Sequence, residues 1–282
     1  MDWSPNPIMF QVGPFAVAWY GFFFALGLLI TIWMGHRVFV QRGLEEKHAS
    51  NLTFATIAGL FIGAHLFDVF FYNWDKFLAD PSIVLDPRRG LSSHGGAAGV
   101  ILAMVIYSRA MRLDFHRVAD GVILAAVWLI PTVRLGNFFN SEVVGRVTDV
   151  PWGVVFLNKE LLEPRHPSQL YEALMGVVVI SLAYWLHRHR ARVRRGATFY
   201  LSLGVYFSLR FLLEYFKEYQ AIAPNFPLTM GQLLSLPGAA ACFTALWIIK
   251  PIFKEPAEGE GDEAKQADEA DGDERSGVEG ES

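Results

Sequence analysis

The sequence predicts an all-α fold: a polytopic integral membrane protein with about seven transmembrane helices, N-terminus out and C-terminus in, and a small extracytoplasmic cap. Three observations predict it. Of 282 residues, 52% are hydrophobic, 14% aromatic and only 18% charged, which is too apolar for an ordinary soluble domain. Apolar runs of bilayer length recur along the chain. Lys and Arg concentrate in alternate connecting segments, the pattern left by cytoplasmic retention of positive loops.

No side chain between Asp2 and His36 is charged, and residues 15–34 supply about the 20 residues a crossing needs. A cleaved leader would carry a basic start, a shorter apolar core and a small-residue cleavage site. None is present, so this segment is expected to stay as the first helix. Further spans are expected over 52–72, 95–107, 118–133, 170–186, 197–216 and 231–249, several of them short or interrupted by Gly, Pro or charge.

One set of connections holds Arg37, Arg42 and Lys47, then Arg109, Arg112 and Arg117, then Arg188, Arg190, Arg192, Arg194 and Arg195, and finally Lys250 and Lys254. These are expected to be cytoplasmic. The opposite set has only Lys76, Arg88 and Arg89 before a long segment beginning at Arg134. Its two longer pieces, 73–94 and 141–169, carry Pro, Gly and Trp and are expected to form the outer cap.

The formal charge of -4 conceals two unlike parts. Residues 255–282 hold twelve Asp and Glu against Lys265 and Arg275, leaving 22 Lys and Arg against 16 Asp and Glu before them. The division expected is a transmembrane domain over 1–254 and a disordered, acidic cytoplasmic tail over 255–282, since the tail has too little apolar surface to order itself. Cys242, the single cysteine, rules out a disulfide framework.

The chemistry converges on residues 134–145, RLGNFFNSEVVG. Ionisable and amide groups at the end of an apolar run are costly, so they pair, line a wet cavity or do chemistry. At about 1.5 Å rise per residue, Arg134 lies roughly 24 Å and Arg210 roughly 20 Å along their helices from the cytoplasmic side. Tyr20 lies about two turns below the outer surface, and His94 stands at the outer start of the third helix. Four helices thus bring polar groups to one level. Arg134 and Asn137, three apart, share a face, while Pro131 kinks the helix before them. A guanidinium suits a phosphate, although an arginine snorkelling to the interface fits the same position. Arg210 and Glu214, four apart, are spaced to pair, either as a structural bridge or with Glu214 orienting Arg210 toward an anion. Ser92, Ser93, His94, Gly95 and Gly96 open a helix whose backbone N–H groups would face an anion. His94 is suited to proton transfer near neutral pH, and equally to a turn. No phosphate-binding loop, zinc-protease motif or nucleophile elbow is present.

These segments, together with WYG at 19–21, RHPSQLYE at 165–172 and MGQLLSLP at 230–237, resemble the prolipoprotein diacylglyceryl transferase family in order from about residue 8 to 250. The resemblance implies a transferase of lipoprotein biosynthesis in the bacterial plasma (inner) membrane. It implies movement of a diacylglyceryl group from phosphatidylglycerol to the lipobox cysteine thiol of preprolipoproteins, with release of glycerol phosphate and without metal or cofactor. By the same resemblance His94, Arg134, Arg210 and Tyr20 are expected to be catalytic. Asn137, Asn140, Glu142, Gly145, Glu214, Gly95, Gly96, His166 and Gln169 are expected to bind substrate, in a monomer with its site towards the outer leaflet and no nucleic-acid partner. The chain departs from the family pattern at Val133, His65 and Asp68, and at 217–220, where Lys217 stands in place of arginine. A non-catalytic relative binding phospholipid or signal peptides, and a transporter with a polar core, remain the alternatives.

Overall fold

The computed structural model describes residues 1–86, 90–218, 227–249 and 252–253. The expected tail, the charges at 88–89, Lys250, Lys254 and residues 219–220 lie outside the described residues. The helices run in the order α1 (Trp19–Gln41), α2 (Glu46–Phe67), α3 (Trp74–Ala79), α4 (Ser93–Ala110), α5 (Phe115–Ala126), α6 (Leu129–Phe139), α7 (Ser168–Arg188), α8 (Ala197–Leu213) and α9 (Met230–Ile249). α1, α2 with its widened last turn, the α5–α6 pair, α7 and α9 are each long and apolar enough to cross a membrane. The chain is therefore a mostly helical, multi-pass membrane protein.

Three expectations are corrected. The first span does not begin at Phe15: Ile8–Val12 (β2) and Phe15–Ala18 (β3) form an antiparallel hairpin, turned at Gly13 with φ 57° and Pro14. The helix starts only at Trp19, and it runs past Met34 to Gln41. The span at 118–133 is two helices, broken at Val127 and Trp128, because Pro131 has no N–H for the Val127 carbonyl and its ring crowds that position. The fold is also not purely helical, since Asp2–Trp3 (β1) pairs in parallel with Val155–Phe156 (β4).

Lipid tails are as apolar as the side chains they touch, so close packing and buried polar contacts, rather than water exclusion, join such helices. α2 meets α4 along a seam of Gly59, Gly63, Gly95 and Gly99, where an added Cβ on any of them would run into the opposite backbone. At the other end of the bundle, fully buried Asp120 of α5 accepts Arg42 Nη2 at 2.7 Å and the Gly196 and Phe199 backbone N–H groups at 2.9 Å. One carboxylate thus ties the end of α1 and the start of α8 to α5. Outside, Leu29, Trp33, Phe54, Ile62, Trp247 and Ile248 are exposed, a surface suited to lipid rather than water.

Between α6 and α7 the chain folds into a small head. Its core is Phe138, Val144, Val154 and Phe156, and Trp3 closes it, donating Nε1–H to the Phe138 carbonyl at 3.1 Å.

Candidate active site

The site grows from the end of α6. One turn places Asn137 beside Arg134, whose Nη1 donates to Asn137 Oδ1 at 3.3 Å. Asn137 Nδ2 donates to Glu142 Oε2 and Asn140 Nδ2 to Glu142 Oε1, both at 3.3 Å. Reaching this arrangement requires unusual backbone: Ser141 and Val143 have φ of 53° and 56°. The left-handed region is a genuine outlier for a β-branched residue such as Val143 and costs on the order of 1–3 kcal/mol. The surroundings impose it. Buried Gln169 donates Nε2–H to the Glu142 carbonyl at 2.6 Å, and Ser168 Oγ donates to the Val143 carbonyl at 2.8 Å. The first turn of α7 thus clamps the loop that carries Glu142.

Glu172, three residues further along α7, is the centre of the cluster. Its side chain is fully buried, with Arg134 Nε at 3.2 Å from Oε2 and Arg210 Nη1 at 3.1 Å from Oε1. Lys217 Nζ lies 3.8 Å from Oε1 and 3.2 Å from Glu214 Oε2. Three cations and the carboxylates of Glu142, Glu172 and Glu214 therefore interlock, and buried charge is tolerable only in such company. Arg134 keeps part of its fork free, and both arginines are partly exposed. Arg134 Nη2 has no protein partner among the described residues, and the two side chains are 19% and 21% exposed. An anion can reach them without dismantling the cluster.

The expected pair of Arg210 with Glu214 is corrected by this arrangement. α8 ends at Leu213 and residues 214–216 form a 3-10 turn; Arg210 pairs with Glu172, while Glu214 stays within Coulombic reach of Arg210. Its carboxylate lies against Gly231 at the start of α9, where a Cβ would approach within 2.5 Å, and it pairs with Lys217 instead. Gly145 is needed for a similar reason: its N–H donates to the His166 carbonyl at 3.0 Å, and a side chain would collide with the His166 and Phe216 carbonyls.

Tyr20 packs over Gly136 and lies within Coulombic reach of Glu142 and Arg134. His166 sits at the rim among aromatic rings, its Nδ1 3.2 Å from Tyr171 Oη, with Phe216 alongside. His94 stands apart. It is exposed, with Nδ1 3.4 Å from Tyr72 Oη, and among the described residues no contact joins it to Arg134, Asn137 or Glu142. The expected anion-facing helix start at Gly95 and Gly96 is also corrected. Ser92 takes both N–H groups, through Oγ at 3.4 Å and its carbonyl at 2.9 Å, and the two glycines are buried against α2.

Glu172, though it closes the motif at 165–172, is given no role by the sequence reading. The signal was a lone carboxylate in the first turns of an apolar helix, three residues beyond Gln169. Leu129, about a turn before Arg134, and Phe207, about a turn before Arg210, line a cavity of about 580 Å³ that runs between α1, α2, α4, α5, α6, α8 and α9. Its wall is almost wholly apolar, with Leu28, Met104, Leu129 and Phe207 among the lining residues and Ser93 at its α4 end.

Fold and site together define a multi-pass membrane protein with an arginine cluster on the helices that also line an apolar cavity. Residues 7–248 match the family model described as prolipoprotein diacylglyceryl transferase. The chain is 42% identical over 238 residues to phosphatidylglycerol–prolipoprotein diacylglyceryl transferase of Vibrio cholerae, covering 82% of this chain and 87% of that one. It is 40% identical over 241 residues to the protein of the same name from Chloroherpeton thalassium, covering 83% and 89%. The chain belongs to the prolipoprotein diacylglyceryl transferase family.

Proposed function

We propose that this protein transfers the diacylglyceryl group of phosphatidylglycerol to the lipobox cysteine of preprolipoproteins, at the cluster centred on Glu172. The observation that carries the reading is the convergence of Arg134 and Arg210, from different helices, on one buried carboxylate, with both side chains still partly exposed and Arg134 Nη2 without a protein partner among the described residues. Such a pair is preorganised for a phosphate.

In the reaction the thiol sulfur attacks the glycerol carbon bearing the phosphate. The S–C bond forms, the C–O bond breaks, and its electron pair passes to the departing phosphate oxygen as the thiol proton goes to a base. Arg134 and Arg210 stabilise the growing charge in a site of low dielectric, and need no reorganisation to do so because Glu172 already holds them. Asn137, Asn140 and Glu142 hold the glycerol head group, Tyr20 closes the site from α1, and Glu214, Gly145, His166 and Gln169 maintain its shape. The acyl chains occupy the apolar cavity. His94, next to the cavity-lining Ser93 and beside Tyr72, or a partner group closer to the arginines, takes the thiol proton.

The chain crosses the bacterial inner membrane seven times, α4 and α8 included, with its N-terminus and the head outside and the arginine-rich α7–α8 connection inside. Residues 1–254 form the transferase domain and 255–282 a solvated cytoplasmic appendage; the protein acts as a monomer. The test is the formation of thioether from labelled phosphatidylglycerol and a lipobox peptide by purified protein. Product is expected, and its absence where a related enzyme succeeds would refute the reading.

A further inference from the structure

A second cationic site lies outside the catalytic cluster. Residues 144–147 and 216–218 meet through the antiparallel bridge of Gly145 with Lys217, and neighbouring side chains on such extended segments point to opposite faces. Lys217 turns inward, 8% exposed, to Glu172 and Glu214. Arg146 and Glu218 turn outward into a cleft of about 450 Å³, which they line with Val147 and Arg165.

The cleft is built rather than incidental. Arg146 donates Nε–H to the Lys217 carbonyl at 2.8 Å, which leaves its terminal nitrogens without a protein partner among the described residues. Arg165 is only 12% exposed; its Nη1 donates to the Gly145 carbonyl at 3.1 Å and meets Glu218 Oε1 at 3.3 Å. Its Nε is buried and unpartnered. Two guanidinium forks against one carboxylate give the cleft a net positive charge, and one thin layer of backbone separates it from the catalytic cluster.

We infer that this cleft receives the released glycerol phosphate, a phosphomonoester, on its way out. The inference rests on the proposed transfer and follows from its charge balance. The substrate is a diester with one negative charge, whereas the product is a monoester carrying about −1.5 to −2 near neutral pH. For the phosphate group alone, Arg134 and Arg210 therefore attract the product more strongly than the substrate, and a neighbouring cationic site with an exit to water eases its departure. Arg146 and Arg165 offer it, and Glu218 keeps the hold from becoming permanent.

The test is calorimetric titration of glycerol phosphate, with inorganic phosphate in parallel, into the full chain in detergent, using Arg146→Gln and Glu218→Gln. Titrations are repeated on Arg134→Ala, where the inner contact is cut. Affinity is expected to fall about five-fold in Arg146→Gln, as for loss of an exposed charge contact, and to rise in Glu218→Gln, with both effects persisting in the Arg134→Ala background. Binding that ignores both substitutions, or responds to them only when Arg134 is present, overturns the cleft. Weakening of inorganic phosphate to the same degree supports recognition of the phosphate rather than the glycerol. If the wild type forms no thioether, the transferase reading fails while the titration still reads the cleft. If thioether forms and the variants bind as wild type, the cleft alone fails.

Discussion

Glu172 decides how the cluster works. A carboxylate buried to zero exposure is stable only while cations surround it, and those cations are the groups a phosphate would need. Replacement by glutamine removes the charge that holds two guanidinium groups in one place. We expect Glu172→Gln to lower the transfer rate by at least about ten-fold, or 1.4 kcal/mol in the barrier, in protein that still inserts into membranes; unchanged initial rates would contradict this. Arg134→Ala and Asn137→Ala should each be more damaging, because they remove a phosphate donor and the link from Arg134 to Glu142. Sequence spacing made Arg134, Asn137 and Glu142 legible, since they lie within two turns of one motif. It paired Glu214 with Arg210 because a four-residue interval cannot show that a carboxylate from another helix, Glu172, competes for the guanidinium while Lys217 takes Glu214.

At the level of elements, the loop from α6 to α7 is the strained part, and α7 supports it. Gln169→Leu would remove the donor to the Glu142 carbonyl while Ser141 and Val143 remain at positive φ. Loss of activity with a lowered thermal midpoint is expected, measured side by side on one preparation. The glycine seam makes a second prediction. Gly99→Leu drives a side chain into the Gly59 backbone, separating α2 from α4, and should abolish stable folding in detergent. At the start of α5, Asp114 caps the helix and pairs with Arg195. Burial pushes its carboxyl up, but the Arg117 N–H and the Arg195 guanidinium outweigh this and hold it below the ordinary range. Its contribution is therefore full above about pH 4 and fades as pH falls through the lowered value. A thermal midpoint that declines less on acidification in Asp114→Asn than in wild type would bear this out. Hydrophobic runs foretold the helices; the hairpin at 8–18 was hidden because an uncharged strand and an uncharged helix start look alike until Gly13 and Pro14 are weighed as a turn.

For the molecule as a whole, composition and the long apolar runs carried the class, because a bilayer constrains sequence more severely than water does. They could not reveal how the helices pair, which depends on small residues at single positions such as Gly63, Gly136 and Gly176. The proposed orientation is open to direct measurement. With Cys242→Ser as background, a cysteine at exposed Leu162 should react with an impermeant maleimide from outside intact cells, and one at Arg190 only after lysis. The reverse pattern would overturn the topology. Removal of 255–282 should leave transfer largely intact. The central claim is that the cations gathered by Glu172 stabilise a departing phosphate. Its most direct measurement is thioether formation from phosphatidylglycerol and a lipobox peptide by wild type and Arg134→Ala, each verified as folded and inserted. Product is expected from the first and severe loss in the second; equal rates in both would overturn the role of Arg134.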